Sequence, residues 1–411
     1  MKYSLAFSIS IVAAFPSLHV PMAQAVPNHP HTFEQWCLQK DSLPAETRHT
    51  VEVMLAKVRT QNCKLAEFNL NRLSTIDFVS DQISDLKPLA SLTNLTELKI
   101  YGNKKTDLIT LASLTNLTHL AITRNQISDL KPLANLTNLT HLELVFNQIS
   151  NLNPIAGLTN LTQLTIYGNQ ISDLKPLANL TNLHKLYLEE NQIKDIAPLA
   201  GLTNLTRLWL SSNKIQNVKP LRALTNLTWL SLYDNHISDI NPLTGLVKLT
   251  YLSLIGNEVS DIKPLAGLTN LRGISLNNNR INEVNSLASL TNLTELSIES
   301  NRITNVYPLA NLTNLTELNL GSNQIIDIKP LKGLTNLSGL NLDRNQISNV
   351  KPLGNLINLT RLHLISNQIK DIMPLSRLTK LTVLFLYENP IDNKICPFKR
   401  ENVCNFSTPD I

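Results

Sequence analysis

Apolar and polar residues follow a pattern that repeats every 22 residues, without an insertion, from residue 73 to residue 390. Each unit reads L-x-L-x-x-N-x-I-x-D-[IL]-x-P-L-x-x-L-T-N-L-T-x. The L-x-L segment alternates with a period of two, which predicts a short β-strand. The Asp and Pro further along predict the start of a short 3₁₀ or helical turn. One marker asparagine per unit follows the predicted strand, and its amide is expected to bond the backbone of adjoining coils: Asn103, Asn125, Asn147, Asn169, Asn191, Asn213, Asn235, Asn257, Asn279, Asn301, Asn323, Asn345, Asn367 and Asn389.

A single unit is too small to stand alone against the entropy cost of ordering its backbone, so the units must stack and both ends must be capped. We expect residues 26–72 to form an N-terminal linker and cap, and residues 391–411 to form a C-terminal cap. Before the repeats, apolar residues are spaced like the inner faces of two helices: Phe33, Trp36, Cys37, Val51, Met54, Leu55 and Val58.

The unit matches the leucine-rich-repeat signature L-x-x-L-x-L-x-x-N-x-L, and its D-[IL]-x-P-L and L-T-N-L-T segments resemble the repeats of bacterial internalins. The resemblance covers residues 73–390, about 15 units. It implies an α/β solenoid, a right-handed superhelix with a parallel β-sheet on its concave face and 3₁₀ turns on its convex face. It also implies that the concave face binds a protein ligand.

The sequence departs from the internalin pattern in several places. Internalins usually continue into an immunoglobulin-like domain, and many end in a wall anchor. The residues after Cys404 show neither an LPXTG-type signal nor an apolar tail. In one unit Lys105 and Thr110 replace the expected Ile and Pro, and we expect local irregularity there. In another, Ser286 replaces Pro, and we expect little consequence.

Residues 1–25 have the features of a secretory signal peptide. Lys2 supplies a positive charge, residues 5–15 form a short apolar run, and residues 23–25 (A-Q-A) offer a cleavage site before Val26. A buried N-terminal helix is the alternative. The run is too short to span a bilayer, and nothing downstream reaches about 18 consecutive apolar residues. The sequence therefore predicts a secreted, periplasmic or surface-associated protein without membrane insertion.

Two cysteines precede the repeats and two follow them: Cys37, Cys63, Cys396 and Cys404. Four cysteines allow three pairings. A stack of repeats at about 4.8 Å each separates the two ends by roughly 65 Å, whereas a disulfide needs Cα atoms within about 7 Å. We therefore expect Cys37–Cys63 and Cys396–Cys404. A zinc site is the alternative, but neither pair has a second ligand pair nearby at zinc-site spacing.

Composition and charge narrow the range of functions. Hydrophobic residues make up 43% of the chain and aromatic residues only 5%, which suits a core of many equivalent leucine layers. The net charge is +5, and Lys and Arg alternate with Asp and Glu instead of forming blocks, so nucleic acid is not expected as a partner. The sequence has no hydrolase, metalloprotease or phosphate-loop motif. We expect a monomeric, non-enzymatic protein without a cofactor.

Aromatic residues fall selectively on the predicted concave face, which is formed by the residues six, four, two and one before each marker asparagine and one after it. Equivalent side chains of adjacent units lie about 4.8 Å apart and form ladders. Trp, Tyr and Arg are the usual anchors of binding hot spots, and a large exposed aromatic patch generally marks an interaction surface. The candidate partner-binding residues are Phe146, Tyr167, Tyr187, Lys185, Arg207, Trp209, Trp229, Tyr233, Tyr251 and Ile255.

Two functional hypotheses remain open. The first is a module that binds a protein, or alternatively a surface glycan as an adhesin would. The second is a structural envelope or surface protein in which the solenoid is a spacer. A simpler explanation of the aromatic patch is that β-strands favour aromatic residues in general. It does not explain why the concave positions of the units from Asn279 to Asn345 carry no aromatic residue.

Two further groups lie on the predicted concave face. The first combines two histidines of one ladder with two carboxylates and could meet a divalent metal, although solvated polar residues are the favoured interpretation: Glu97, His119, His141 and Glu143. The second is an acidic patch that is either a rim of the binding surface or a contribution to solubility: Glu295, Glu299 and Glu317.

Overall fold

The computed structural model describes residues 32–103, 106–398 and 401–407, and its central feature is a 16-stranded sheet. All neighbouring strands are parallel and follow one another in sequence order, which confirms the predicted solenoid. The predicted signal peptide and Lys105 lie outside the described residues. Strands β1 to β16 comprise Thr75–Val79, Glu97–Tyr101, His119–Thr123, His141–Glu143, Gln163–Thr165, Lys185–Tyr187, Arg207–Trp209, Trp229–Ser231, Tyr251–Ser253, Gly273–Ser275, Glu295–Ser297, Glu317–Asn319, Gly339–Asn341, Arg361–His363, Val383–Phe385 and Cys404–Asn405.

The strand register places each residue beside its equivalent in the next unit. In β7 and β8, for example, Arg207 pairs with Trp229 and Leu208 with Leu230. Because successive side chains of a strand point to opposite faces, the central leucines point into the solenoid and their neighbours point out of the concave face. Leu208 and Leu230 are both fully buried. The alternation therefore separates a continuous leucine core from the surface on which the candidate binding residues lie.

Short 3₁₀ helices form the convex side. In Lys175–Leu177 the proline stands within the first two positions, where its missing N–H costs no helical hydrogen bond. Asp173 fixes the entry to this turn, since its Oδ1 accepts a hydrogen bond from the Lys175 N–H at 2.9 Å. The unit with Ser286 in place of proline still forms a turn, Asn285–Ser289, as expected.

The marker asparagines tie each coil to its neighbours. Asn213 shows the pattern: its Oδ1 accepts a hydrogen bond from the Ile193 N–H at 3.0 Å, and its Nδ2 donates to the carbonyl oxygens of Leu188 at 3.0 Å and Leu210 at 3.1 Å. These backbone groups lie where the chain turns away from the strand and have no partner in the sheet. The asparagine amide satisfies them inside the core, as the sequence predicts.

Among the described residues the N-terminal cap contains α1 (Phe33–Leu38), α2 (Ala45–Lys57) and α3 (Cys63–Leu70), so the two helices predicted from the apolar spacing are present and a third follows them. The apolar residues named for the cap are buried or partly buried in it. The third helix escapes the sequence pattern because it buries only Ala66 and Leu70. Its start is nevertheless well defined, since the side chain of Asn62 accepts a hydrogen bond from the Leu65 N–H.

The C-terminal cap extends the sheet by one short strand. Strand β16 pairs with β15, where Asn405 lies opposite Phe385. Val403 is buried beneath this strand, and Phe398 and Phe406 pack partly against the core. These residues cover the last leucine layer, which would otherwise face water.

Both predicted disulfides are present. Cys37 is bonded to Cys63, with Cα atoms 5.5 Å apart, and Cys396 is bonded to Cys404, with Cα atoms 5.7 Å apart. The first bond joins α1 to α3, and the second joins the loop after β15 to β16. Each disulfide therefore closes one end of the solenoid.

Reduction of both disulfides is expected to loosen the two ends before the middle repeats, because each unit of a solenoid contacts only its neighbours. Hydrogen exchange measured by mass spectrometry should accelerate in residues 32–70 and 396–405 in the presence of a reducing agent. Exchange in residues 185–255 should stay unchanged under the same conditions. A uniform acceleration along the chain would contradict this account of the caps.

Candidate binding surface on the concave face

Four aromatic rings from four consecutive strands form a continuous row, here called the aromatic ladder: Tyr187, Trp209, Trp229 and Tyr251. Ring centroids lie 4.3 Å apart for Tyr187 and Trp209, 6.0 Å for Trp209 and Trp229, and 4.1 Å for Trp229 and Tyr251. The two tryptophans meet edge to face, at 84°, whereas Trp229 and Tyr251 are stacked. The structure thus brings four of the predicted binding residues into direct contact.

The four rings come from two different positions of the repeat. Tyr187 and Trp209 stand four residues before a marker asparagine and pair with each other in the sheet, forming one column. Trp229 and Tyr251 stand six residues before a marker asparagine and pair with each other in a second column. The strand partner of Trp209 is Ser231, whose small side chain leaves room on the surface. The edge-to-face contact between the two tryptophans bridges the columns, so the four rings form one surface instead of two isolated pairs.

The four rings are half-buried, because each leans on its neighbours while one side stays open to solvent. Nε1 of Trp229 is buried and makes no hydrogen bond within the described part of the chain. The indole ring is in contact with the rings of Trp209 and Tyr251. Packing of this kind limits rotation of the rings and presents a rigid apolar surface.

Two basic residues lie beside the Tyr187 end of the aromatic ladder. Lys185 is half-buried, and its strand partner Arg207 is exposed. Burial raises the pKa of Tyr187, while the positive charge of the nearby Arg207 guanidinium acts in the opposite direction. Two basic side chains therefore lie at this end of the aromatic ladder, beside the carboxyl group of Glu189.

Phe146 and Tyr167 form a second aromatic pair, with ring centroids 4.7 Å apart. Among the described residues no ring contact joins this pair to the aromatic ladder, so the structure divides the predicted patch in two. Phe146 has a φ of 50°, a conformation that is unusual for a bulky residue, and is 37% exposed. Gly168 makes room for it, since a Cβ there would lie 2.5 Å from Cδ1 of the phenyl ring. Arg124 covers the ring at 5.0 Å.

Tyr233 and Ile255 complete the predicted set. Tyr233 is 45% exposed, and Ile255, one unit further along the same ladder, is half-buried. Among the described residues, the ring of Tyr233 makes no contact with the rings of the aromatic ladder. They widen the apolar area in the units that hold Trp229 and Tyr251.

Glu189 is a residue of this surface that the sequence analysis missed. It stands two residues before Asn191, on the concave face, yet its Oε2 is buried and has no hydrogen-bond partner among the described residues. Burial raises the pKa of its carboxyl group. A carboxylate at a concave ladder position looks solvated in the sequence, and only the packing of its neighbours shows otherwise.

Replacing Glu189 with glutamine is expected to stabilise the fold at neutral pH. Because burial raises the pKa of Glu189 above its ordinary value, ionisation costs the folded state more than the unfolded state as the pH rises. Below the ordinary carboxyl range both states are neutral, so the difference between wild type and Glu189→Gln should vanish there. Denaturant unfolding of both proteins across this pH range measures the effect. Glu52→Gln, on the exposed side of α2, is the matched control, and an equal gain in that variant would contradict the assignment.

The histidine group forms a polar cluster near the N-terminal end of the sheet. The rings of His119 and His141 are stacked, with centroids 4.3 Å apart. Nδ1 of His119 bonds the hydroxyl of Thr118 at 2.9 Å, and Glu97 pairs with Lys99 at 2.7 Å. Burial and the neighbouring His119 lower the pKa of His141. No group of three or more potential metal ligands occurs in the part of the chain that the structure describes.

The acidic patch lies beyond the aromatic ladder and is already partly paired. Glu317 forms an ion pair with Arg361 at 2.8 Å, and Glu299 accepts a hydrogen bond from Nδ2 of Asn319 at 2.8 Å. Glu295 is exposed. Glu295 and Glu317 line a cavity of about 300 Å³ together with Tyr251, Arg361 and Gly339, a glycine that the sequence analysis passed over.

A family model described as leucine-rich repeats matches most of the repeat region, in six blocks: residues 115–157, 137–179, 181–223, 225–267, 269–311 and 313–355. A comparison with curated protein sequences gives no match.

Solved structures add closer likenesses. An internalin (InlF) of Listeria monocytogenes is 33% identical, with a TM-score of 0.73, and the match covers 78% of this chain and 98% of that one. A leucine-rich-repeat protein of Leptospira interrogans is 28% identical, with a TM-score of 0.70, and the match covers 80% and 93% of the two chains. The plant peptide hormone receptor RGFR1 in complex with RGF2 is 20% identical, with a TM-score of 0.57 and coverage of 79% and 68%, and shows the fold alone. On these matches and on its parallel sheet, the chain belongs to the leucine-rich-repeat family and is an internalin-like member of it.

Proposed function

We propose that the chain is an exported, non-enzymatic binding module whose concave face recognises a protein partner, with the aromatic ladder as its hot spot. One observation carries the proposal: four aromatic rings contact one another in sequence on the open face of the sheet. Rings of this size bind tightly because they bury a large area while losing little rotamer entropy.

The position of the rings supports a role in binding over a role in folding. The core is built from leucine and isoleucine layers that are complete without the rings. Concave positions in the units from Asn279 to Asn345 carry no aromatic residue, and those units fold in the same way. Strand propensity alone would spread the aromatic residues along the sheet, whereas they concentrate in neighbouring units.

Phe146 offers independent support. The repeat has a positive φ at the residue before the marker asparagine, and other units place glycine or a polar residue there, for example Gly168, Glu190 and Ser212. A large aromatic ring is therefore not required by the repeat at this position, and its 37% exposure supports a role in partner contact.

Export is part of the proposal. Disulfides persist in oxidising compartments, and both cysteine pairs of this chain are bonded. Residues 1–25 read as a signal peptide, which makes Val26 the proposed mature N-terminus. No helix in the described ranges has the length and apolar character needed to cross a membrane. The fold itself is compatible with ligand binding, since the structure of RGFR1 is a complex with RGF2.

Affinity capture from extracts of the native organism tests the proposal. Three columns carry the wild type, a Trp209→Ala/Trp229→Ala double variant, and a Tyr307→Ala control. Tyr307 is an aromatic residue that is 73% exposed on the convex side. A protein partner should be retained by the wild type and the control and lost from the double variant. Equal retention on all three columns would favour the spacer hypothesis, and retention of glycans without protein would favour an adhesin.

A further inference from the structure

A cavity of about 300 Å³ opens on the concave face immediately after the aromatic ladder. Two strands at this point have glycine where other units have a side chain, and each glycine leaves room for a neighbour: Gly273 for the ring of Tyr251 and Gly339, which lines the cavity, for the carboxylate of Glu317. Gly273 lies between Tyr251 and Glu295 in the strand register, and Gly339 lies between Glu317 and Arg361.

Gly273 brings an aromatic ring and a carboxylate close together. A Cβ atom at Gly273 would lie 2.9 Å from Cδ2 of Tyr251 and 3.9 Å from Oε2 of Glu295. Both groups therefore lie next to the position that the glycine leaves without a side chain, and both line the cavity. An aromatic ring and a carboxylate on opposite sides of a gap are the two groups that attract a cationic side chain.

Glu295 is the carboxylate of this cavity that is free to accept a partner. Glu317 is held by the ion pair with Arg361 and by a hydrogen bond from the Ser338 hydroxyl at 2.8 Å. The carboxylate of Glu295 makes no hydrogen bond or ion pair with any residue that the structure describes, and the residue is exposed. Because the charge of Arg361 is balanced by Glu317, the remaining charge of the cavity is the negative charge of Glu295.

Different charged groups border the two ends of the aromatic ladder. Lys185 and Arg207 lie at the Tyr187 end together with Glu189, and Glu295 lies beyond Tyr251 at the other end. A segment that lies along the rings therefore meets two basic side chains near Tyr187 and an unpaired carboxylate beyond Tyr251. Such a surface favours a segment of opposite polarity and fixes its direction.

We propose that this cavity binds a lysine or arginine side chain of the protein partner, with the cationic group between the Tyr251 ring and the Glu295 carboxylate. The proposal rests on the proposed function, since apolar residues of the same segment must lie on the aromatic ladder. Glu295 is three units beyond Trp229, about 14 Å at the spacing of neighbouring strands. An extended chain covers that distance in about four residues.

Random peptides displayed on phage provide the probe. They are selected against the wild type, Glu295→Gln, Glu295→Lys, the Trp209→Ala/Trp229→Ala double variant, and Glu52→Gln as a charge-matched control. Glu52 is exposed on α2, far from the sheet surface that binds, and its substitution removes the same charge. Circular dichroism of each variant confirms that the solenoid is folded before selection.

Peptides selected by the wild type and by Glu52→Gln should combine an aromatic or apolar residue with Lys or Arg about four positions away. Replacing the basic residue of a selected peptide with glutamine should weaken its affinity by about tenfold, the size expected for a charge-assisted hydrogen bond. Glu295→Gln should cause the same loss for the basic peptide and none for the glutamine peptide. Glu295→Lys should reverse the preference at that position to Asp or Glu.

Enrichment of apolar residues without Lys or Arg, or with acidic residues at that position, would overturn the assignment of the cavity and leave the proposed function standing. A selection in which the wild type enriches no more than the Trp209→Ala/Trp229→Ala variant would overturn both.

Discussion

Replacing Leu210 with alanine is expected to lower the free energy of unfolding by about 2–5 kcal/mol, the range for removing a buried leucine side chain from a close-packed core. Leu210 is fully buried, and its carbonyl oxygen accepts hydrogen bonds from the marker amides of Asn213 and Asn235. A cavity at this point weakens the packing of adjoining coils. Denaturant unfolding followed by circular dichroism measures the loss.

The affinity for the partner, in contrast to stability, should not change in the Leu210→Ala variant. At temperatures where Leu210→Ala remains folded, its affinity for the captured partner should match that of the wild type, because the leucine faces away from the concave surface. A stability loss well below 1 kcal/mol would contradict the assignment of this residue to the core.

Replacing Trp209 or Trp229 with alanine is expected to weaken partner binding by about 2 kcal/mol or more, as truncation of a hot-spot aromatic residue does. Each ring contacts two others in the aromatic ladder, so its loss removes apolar area and frees its neighbours to rotate. Titration calorimetry with the captured partner gives the change in affinity.

Stability of the same variants should fall only modestly, by about 0.5–1.5 kcal/mol, the usual value of an aromatic pair beyond its buried area. Tyr307→Ala should leave both affinity and stability close to those of the wild type, because this exposed ring lies on the convex side. Wild-type affinity in both single tryptophan variants would contradict the assignment of the hot spot.

Much of the fold could be predicted because every unit makes the same contacts. The 22-residue spacing places Leu208 beside Leu230 and Asn213 beside Asn235, and the structure has both relations. The disulfides followed from the length of the stack alone. Helix α3 and strand β16 could not be predicted in this way, because each lies outside the repeat.

The candidate site was only partly predictable. Position relative to the marker asparagine shows that Trp209 and Trp229 share the concave face, but their ring contact depends on side-chain torsions. The burial of Glu189 depends on neighbours in adjacent coils. The placement of the Tyr251 ring beside the cavity depends on Gly273, which leaves room for the ring because it has no side chain. A search for chemically active residues passes over a glycine.

The most direct test is the affinity of the captured partner for the Trp209→Ala/Trp229→Ala double variant, measured by titration calorimetry on a sample whose unfolding curve is recorded in parallel. The rings touch, so the two effects need not add. We expect a folded protein that binds at least about thirtyfold more weakly than the wild type, equivalent to about 2 kcal/mol. A folded double variant with wild-type affinity would contradict the account and leave the solenoid as a spacer.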